Sequence, residues 1–133
     1  MVMYEAQSIM TKDIVTINQN TPIYEVLNVM IGARISGLPV VDDGNNLVGI
    51  ITEKDLMPIF KHHSLTNQTV ADYMTKEVKT FSPEASIDEI SEFFATHSFR
   101  RVPIVKDKKL VGIVARRDII SLIIHLWGQK QTF

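Results

Sequence analysis

Cysteine is absent from this chain of 133 residues, which removes disulfides, thiolate nucleophiles and Cys-ligated zinc together. Long apolar runs are absent too, and none approaches the ~20 residues needed to cross a bilayer. The N-terminus, Met1-Val2-Met3-Tyr4-Glu5, has no basic segment followed by an apolar core, so a secretory leader is not expected and a soluble cytoplasmic protein is. Net charge is nearly absent, at −1, which argues against nucleic acid or membrane as a partner held by bulk field. The histidines lack ligand spacing. His62 and His63 are adjacent, and on a helix they would project about 100° apart, while His97 and His125 fall in other segments, so no metal site is expected. There is no phosphate loop of the Gly-x-x-x-x-Gly-Lys type and no nucleophile–base pair, which argues against an enzyme.

What is present is a repeat. Met10-Thr11-Lys12-Asp13-Ile14 aligns with Met74-Thr75-Lys76-Glu77-Val78, and the match continues through Thr16/Thr80, Ile23/Ile87, Glu25/Glu89, Pro39/Pro103, Val41/Val105 and Asp43/Asp107. Leu47-Val48-Gly49-Ile50 and Asp55 return as Leu110-Val111-Gly112-Ile113 and Asp118, with the first copy one residue longer at the turn Gly44-Asn45-Asn46. Two copies make a pseudo-symmetric pair rather than a solenoid. Residues 8–61 form the first repeat, 62–69 a polar linker and 70–127 the second, with 1–7 and 128–133 as terminal segments. The basic residues gather in the second copy, at Arg100-Arg101, Lys106 to Lys109 and Arg116-Arg117.

Each copy reads as β-α-β-β-α. In the first, Ile14 to Ile17 is a short strand. Thr21 caps a helix with Pro22 at its first position, and Ile23, Val26, Leu27, Met30 and Ile31 form its buried stripe up to about Gly32. Leu38 to Val41 and Leu47 to Ile51 make a hairpin around Asp42 to Asn46, and a helix follows from about Glu53, with Pro58 near its start. In the second, Ser86-Ile87-Asp88-Glu89 is a capping box, and Ile87, Ile90 and Phe94 mark the buried face. Val70 to Met74 and Ala6 to Met10 predict matching helical turns. The last helix is apolar on every face from Ile119 to Trp127, broken only by Ser121 and His125. Covering both sides of it calls for a second copy of the chain, a homodimer contact.

In this order and spacing the chain resembles a tandem pair of CBS domains, a Bateman module. The resemblance is carried by the Gly37-Leu38-Pro39-Val40-Val41 and Arg101-Val102-Pro103-Ile104-Val105 strands, the two Leu-Val-Gly-Ile strands, and the Asp three residues into each following helix. It implies an α/β (α+β) fold of two repeats packed sheet to sheet about a pseudo-twofold axis, with two related clefts between them. It also implies adenosine-nucleotide ligands of the AMP, ADP or ATP class, disc-like dimers, regulation of an unknown partner protein, and no prosthetic group or catalysis of its own. An adenosyl ligand such as S-adenosylmethionine, or a scaffold with empty clefts, is the alternative.

The resemblance assigns ribose to Asp55 and Asp118, and phosphate to the hydroxyl of Thr52. A carboxylate of fixed geometry can accept both hydroxyls of a ribose cis-diol, and amides at a helix start can meet phosphate oxygens. Thr-x-x-Asp is equally a capping box that needs no ligand. Ala115 stands where the family pattern has Ser or Thr, which costs the second site one hydroxyl. Arg100, Arg101, Arg116 and Arg117 are the candidate phosphate ligands there, because guanidinium forks bind phosphate in pairs of hydrogen bonds; a solvated basic surface is the other reading. Gly37, Leu38, Pro39, Val102 and Pro103 would offer backbone groups to an adenine edge, because proline leaves the ladder short of a donor. Thr16 and Thr80 would add hydroxyls. Unequal affinity of the two sites is expected.

Overall fold

A computed structural model describes residues 4–62 and 65–128. His63 and Ser64, in the middle of the expected linker, and the terminal residues 1–3 and 129–133 lie outside the described residues. The helices are α1 (Ala6–Ile9), α2 (Ile23–Ala33), α3 (Glu53–Leu56), α4 (Ile87–Thr96) and α5 (Arg116–Trp127). The strands are β1 (Ile17–Asn18), β2 (Gly37–Val41), β3 (Leu47–Thr52), β4 (Arg101–Lys106) and β5 (Lys109–Ala115). Two single 3-10 turns, Met57–Lys61 and Val70–Asp72, complete the order. The class is α+β in two tandem repeats.

The chain divides into two compact units, and they do not coincide with the two sequence copies. One unit is Val15–Val78; the other joins the chain up to Ile14 to the chain from Lys79 onward. Each copy has given its leading segment to the other copy's core. Ala6, in α1, is fully buried among Phe81, Ile87, Ile90, Phe94, Val102, Ile104, Val114 and Ile119 of the second copy. Val70, at the equivalent place in the repeat, is fully buried among Ile23, Val26, Met30, Leu38, Val40, Ile51 and Leu56 of the first. Burying a valine side chain contributes about 1.5–3 kcal/mol and a single methyl about 0.8 kcal/mol, so each leading turn is a working part of the core it enters.

In the unit Val15–Val78, β1 runs parallel to β2 and β2 antiparallel to β3, with a bulge between Val40 and Val41. The strand expected over Ile14 to Ile17 is confined to Ile17–Asn18. Thr75 adds a short antiparallel bridge to the outer side of β3, donating to Ile50 O at 2.8 Å and accepting from Ile50 N at 2.9 Å. In the other unit β4 and β5 pair antiparallel with a bulge between Ile104 and Val105. The strand corresponding to β1 is there reduced to one parallel bridge between Phe81 and Ile104. Thr11 repeats the outer bridge, giving and taking hydrogen bonds with Ile113 at 2.8 and 3.0 Å.

The repeated glycine of the Leu-Val-Gly-Ile strands exists for this approach. A Cβ on Gly49 would lie 2.7 Å from the Thr75 carbonyl oxygen and 2.9 Å from Met74 Sδ, and one on Gly112 would overlap the Met10 side chain. Two motifs that are far apart in sequence, Met-Thr and Leu-Val-Gly-Ile, are therefore the two sides of one contact.

Several local expectations shift. The first helix starts at Ile23, with Pro22 in extended conformation as its cap and no side-chain cap from Thr21. Its first orphan amide, Ile23 N, donates instead to Gln68 O at 2.9 Å, so the incoming segment serves as the cap. The helix runs past Gly32 to Ala33 and is reversed by Arg34, whose backbone is left-handed at φ 55°. Ile31 is 81% exposed and does not belong to the buried stripe, which narrows to Ile23, Val26 and Met30 with Leu27 beside them. The helix expected from Glu53 turns into a 3-10 segment at Met57, where Pro58 removes a donor. Ser86 caps α4 by accepting from Glu89 N at 3.1 Å, and Ile87, Ile90 and Phe94 are its buried residues.

Candidate functional site

The two strand-to-helix mouths, at β3–α3 and β5–α5, hold the acids singled out by the repeat. Both mouths are closed by the same backbone bond. Glu53 N donates to Ser36 O at 3.0 Å in the first, and Arg116 N to Arg100 O at 2.9 Å in the second. The ladder then places Gly37 opposite Thr52 and Arg101 opposite Ala115, which brings Gly37, Thr52 and Asp55 to one mouth and Arg100, Arg101, Ala115, Arg116 and Asp118 to the other.

The acids are held differently. Asp55 Oδ2 accepts from Thr52 N at 2.9 Å and from Thr52 Oγ1 at 3.1 Å, while Thr52 Oγ1 accepts from Asp55 N at 3.4 Å. This is a complete capping box. The other oxygen, Oδ1, accepts the hydroxyl of Thr75 at 3.0 Å. Asp118 Oδ2 accepts from Ala115 N at 2.7 Å. Ala115 has no side-chain oxygen to return the bond, so only half of the box forms, and among the described residues Asp118 Oδ1 has no protein donor. A carboxylate offers about four lone-pair positions; Asp55 uses three of them and Asp118 one. Asp118 also stands in the first turn of a helix of 12 residues, near the positive end of its dipole.

The remaining residues sort by burial. Leu38, Pro39, Val102 and Pro103 are buried, with Leu38 and Val102 inside the two cores, so what they can offer a ligand is backbone. Thr16 and Thr80 are half-buried, each one residue before the segment that pairs with the neighbouring strand, at Ile17 and Phe81. Arg116 has a structural occupation: its Nη2 donates to Phe94 O at 3.2 Å and to His97 O at 2.9 Å. These are the last carbonyls of α4, where a cation is favoured by the helix dipole. Arg100 and Arg117 are exposed and Arg101 half-buried. His97 lies exposed at the end of α4, its ring stacked on Phe93 at 4.3 Å. Among the described residues no His, Asp or Glu cluster is arranged to hold a metal, and no helix is long and apolar enough to cross a membrane.

Thr75 is the residue that reading the sequence missed. Its signal was the repeated Met-Thr pair, but nothing in one sequence says that the Met-Thr of one copy serves the Asp of the other.

The CBS domain model matches this chain twice, over residues 6–62 and 70–125. The chain belongs to the CBS domain family. Among CBS relatives, YlbB of Bacillus subtilis is 37% identical over 88% of this chain and 80% of its own length. An uncharacterized protein of Methanocaldococcus jannaschii is 29% identical over 92% of this chain, which spans only 44% of that relative. The match to inosine-5'-monophosphate dehydrogenase of the same archaeon, at 37% identity, is confined to 23% of that enzyme's length. Among solved structures, CBSX2 in complex with AMP superposes with a TM-score of 0.81 at 26% identity, covering 92% of this chain and 98% of that one. The CBS domain pair of MJ0100, in complex with 5'-methylthioadenosine and S-adenosyl-L-methionine, gives 0.76 at 29% identity and covers 98% and 100%.

Proposed function

We propose that this CBS pair is a regulatory module without catalysis of its own, which binds adenosine nucleotides of the AMP, ADP or ATP class at its strand-to-helix mouths. The observation that carries this reading is Asp118. One carboxylate oxygen is pinned by the Ala115 amide while the other has no donor among the described residues, so the acid presents a fixed acceptor edge to a ribose diol. Arg100, Arg101 and Arg117 supply phosphate charge, with Arg116 committed to α4. The complexes of CBSX2 with AMP and of MJ0100 with adenosyl compounds support the ligand class. The second of these supports S-adenosylmethionine as the competing ligand. Signalling to a partner follows from differential affinity: a charged ligand favours the conformation that binds it better, and by no more than that difference.

Titration calorimetry with AMP, ATP and S-adenosylmethionine tests the reading. AMP or ATP heat that disappears in Asp118→Ala is expected; preference for S-adenosylmethionine would move the protein to the alternative class, and turnover of ATP would sink the non-catalytic reading.

A homodimer through α5 belongs to the same proposal. Ile120 (55%), Ile123 (46%), Ile124 (64%) and Trp127 (55%) are exposed along this helix, whose one buried residue is Ile119. An apolar face of this kind is costly in water. Sedimentation should give a dimer for the native chain and a monomer for Ile124→Glu; a native monomer would remove this part.

A further inference from the structure

Among the described residues the bond between Thr75 and Asp55 has no counterpart in the other unit, although the backbone bridge that carries it does. Thr11 and Thr75 occupy the same place in the repeat, and both bridge the middle of a Leu-Val-Gly-Ile strand through two backbone hydrogen bonds of 2.8–3.0 Å. Gly49 admits the Thr75 carbonyl, and Gly112 admits the Met10 side chain next to Thr11. Yet only Thr75 turns its hydroxyl onto the acid, at 3.0 Å from Asp55 Oδ1; among the described residues Thr11 makes no such bond to Asp118. What Thr75 places there is a secondary alcohol, the same group that a ribose would offer.

We infer that Thr75 is a built-in occupant of the first mouth, a hydroxyl that holds Asp55 in place of a ligand's and so makes Asp118 the acid that is filled first. The inference rests on the adenosine reading above and adds the rank order of the two acids. To grip a diol, Asp55 must release Thr75 and spend one of its three existing bonds; Asp118 gives up nothing. Thr75 also lies three residues before the chain leaves this unit at Val78.

Calorimetry of AMP binding to the full chain, in wild type, Thr75→Val, Thr75→Ser and Thr75→Val with Asp55→Ala, decides it. Thr75 is exposed and its backbone bridge does not depend on the hydroxyl, so valine preserves the fold. The wild type should take up one tight equivalent per chain. Thr75→Val should gain a second, its affinity raised about five- to tenfold by the missing competitor. Thr75→Ser, which keeps the hydroxyl, should behave as wild type, and the added Asp55→Ala should abolish the gain. A Thr75→Val isotherm that overlays a binding wild type overturns the inference alone. Absence of binding to wild type and Thr75→Val alike overturns the adenosine reading, and the rank order with it.

Discussion

The two mouths of this protein start from nearly the same residues and end in different states. At β3–α3 the acid is locked by a threonine cap on one side and by Thr75 on the other. At β5–α5 a single amide holds it, and among the described residues its other edge faces no protein donor. A repeat therefore conserves the scaffold of a site more strictly than its readiness: the backbone bonds agree to within a few tenths of an ångström, while one hydroxyl more or less decides what the acid is free to do. The helices that follow differ in the same sense. α3 ends after four residues in a 3-10 segment, whereas α5 continues for 12, so the freer acid also has the longer dipole behind it.

The largest expected effect comes from closing the space beneath the exchanged segments. Gly49→Ala should cost about 1–3 kcal/mol in urea unfolding, because its Cβ meets the Thr75 carbonyl, which no side-chain change can remove. The atoms nearest a Cβ on Gly112 are those of the Met10 side chain, so a companion Met10→Ala should restore part of the loss in Gly112→Ala. If Met74→Ala rescues Gly49→Ala equally well, the Met74 side chain and not the Thr75 carbonyl sets the clash.

Next in size are the acids themselves. Asp55→Ala should lower stability by about 1–2 kcal/mol and Asp118→Ala by about half as much, in proportion to the bonds each makes, as read from paired denaturation curves. Equal losses would erase the difference between the mouths.

A smaller change runs in the opposite direction. Ala115→Thr supplies α5 with the missing cap and should raise stability by about 1 kcal/mol, seen as a melting temperature several degrees higher. It should also make the second acid resemble the first. The smallest effect belongs to Arg116→Met, about 0.5–1 kcal/mol for one part-buried and one exposed bond at the end of α4. Its AMP affinity should stay near wild type, and a large drop there would return Arg116 to the phosphate-binding set.

Much of the fold was legible because the repeat repeats its punctuation. Pro39 and Pro103, the two Leu-Val-Gly-Ile runs, and Ser86 before Ile87 each place an element within a residue or two. Periodicity found the buried faces of α2 and α4, apart from Ile31, which sits one helical step beyond the stripe and faces water. The strand expected over Ile14 to Ile17 shrinks because β-branched residues favour extended backbone without securing a partner; Val15 is exposed, and of the four only Ile17 pairs, with Asn18 after it. The acids were legible as residues but not as states. Whether Thr52-x-x-Asp55 was a cap or a grip depended on a third hydroxyl brought in from position 75. Partnership across the repeat is a tertiary fact with no local signature, and so the exchange of leading segments, unlike the duplication, could not be read from spacing.

That exchange has a consequence for any attempt to dissect the molecule. Cutting the gene at the polar stretch between the copies would give one fragment without Val70 and the bridge from Thr75, and another without Ala6 and the bridge from Thr11. Each would be left with a hole in its interior and an open strand edge, a combination that invites two such halves to find each other again. Trimming the first dozen residues should likewise be felt by the repeat that begins more than fifty residues downstream, and not by the one beside the cut.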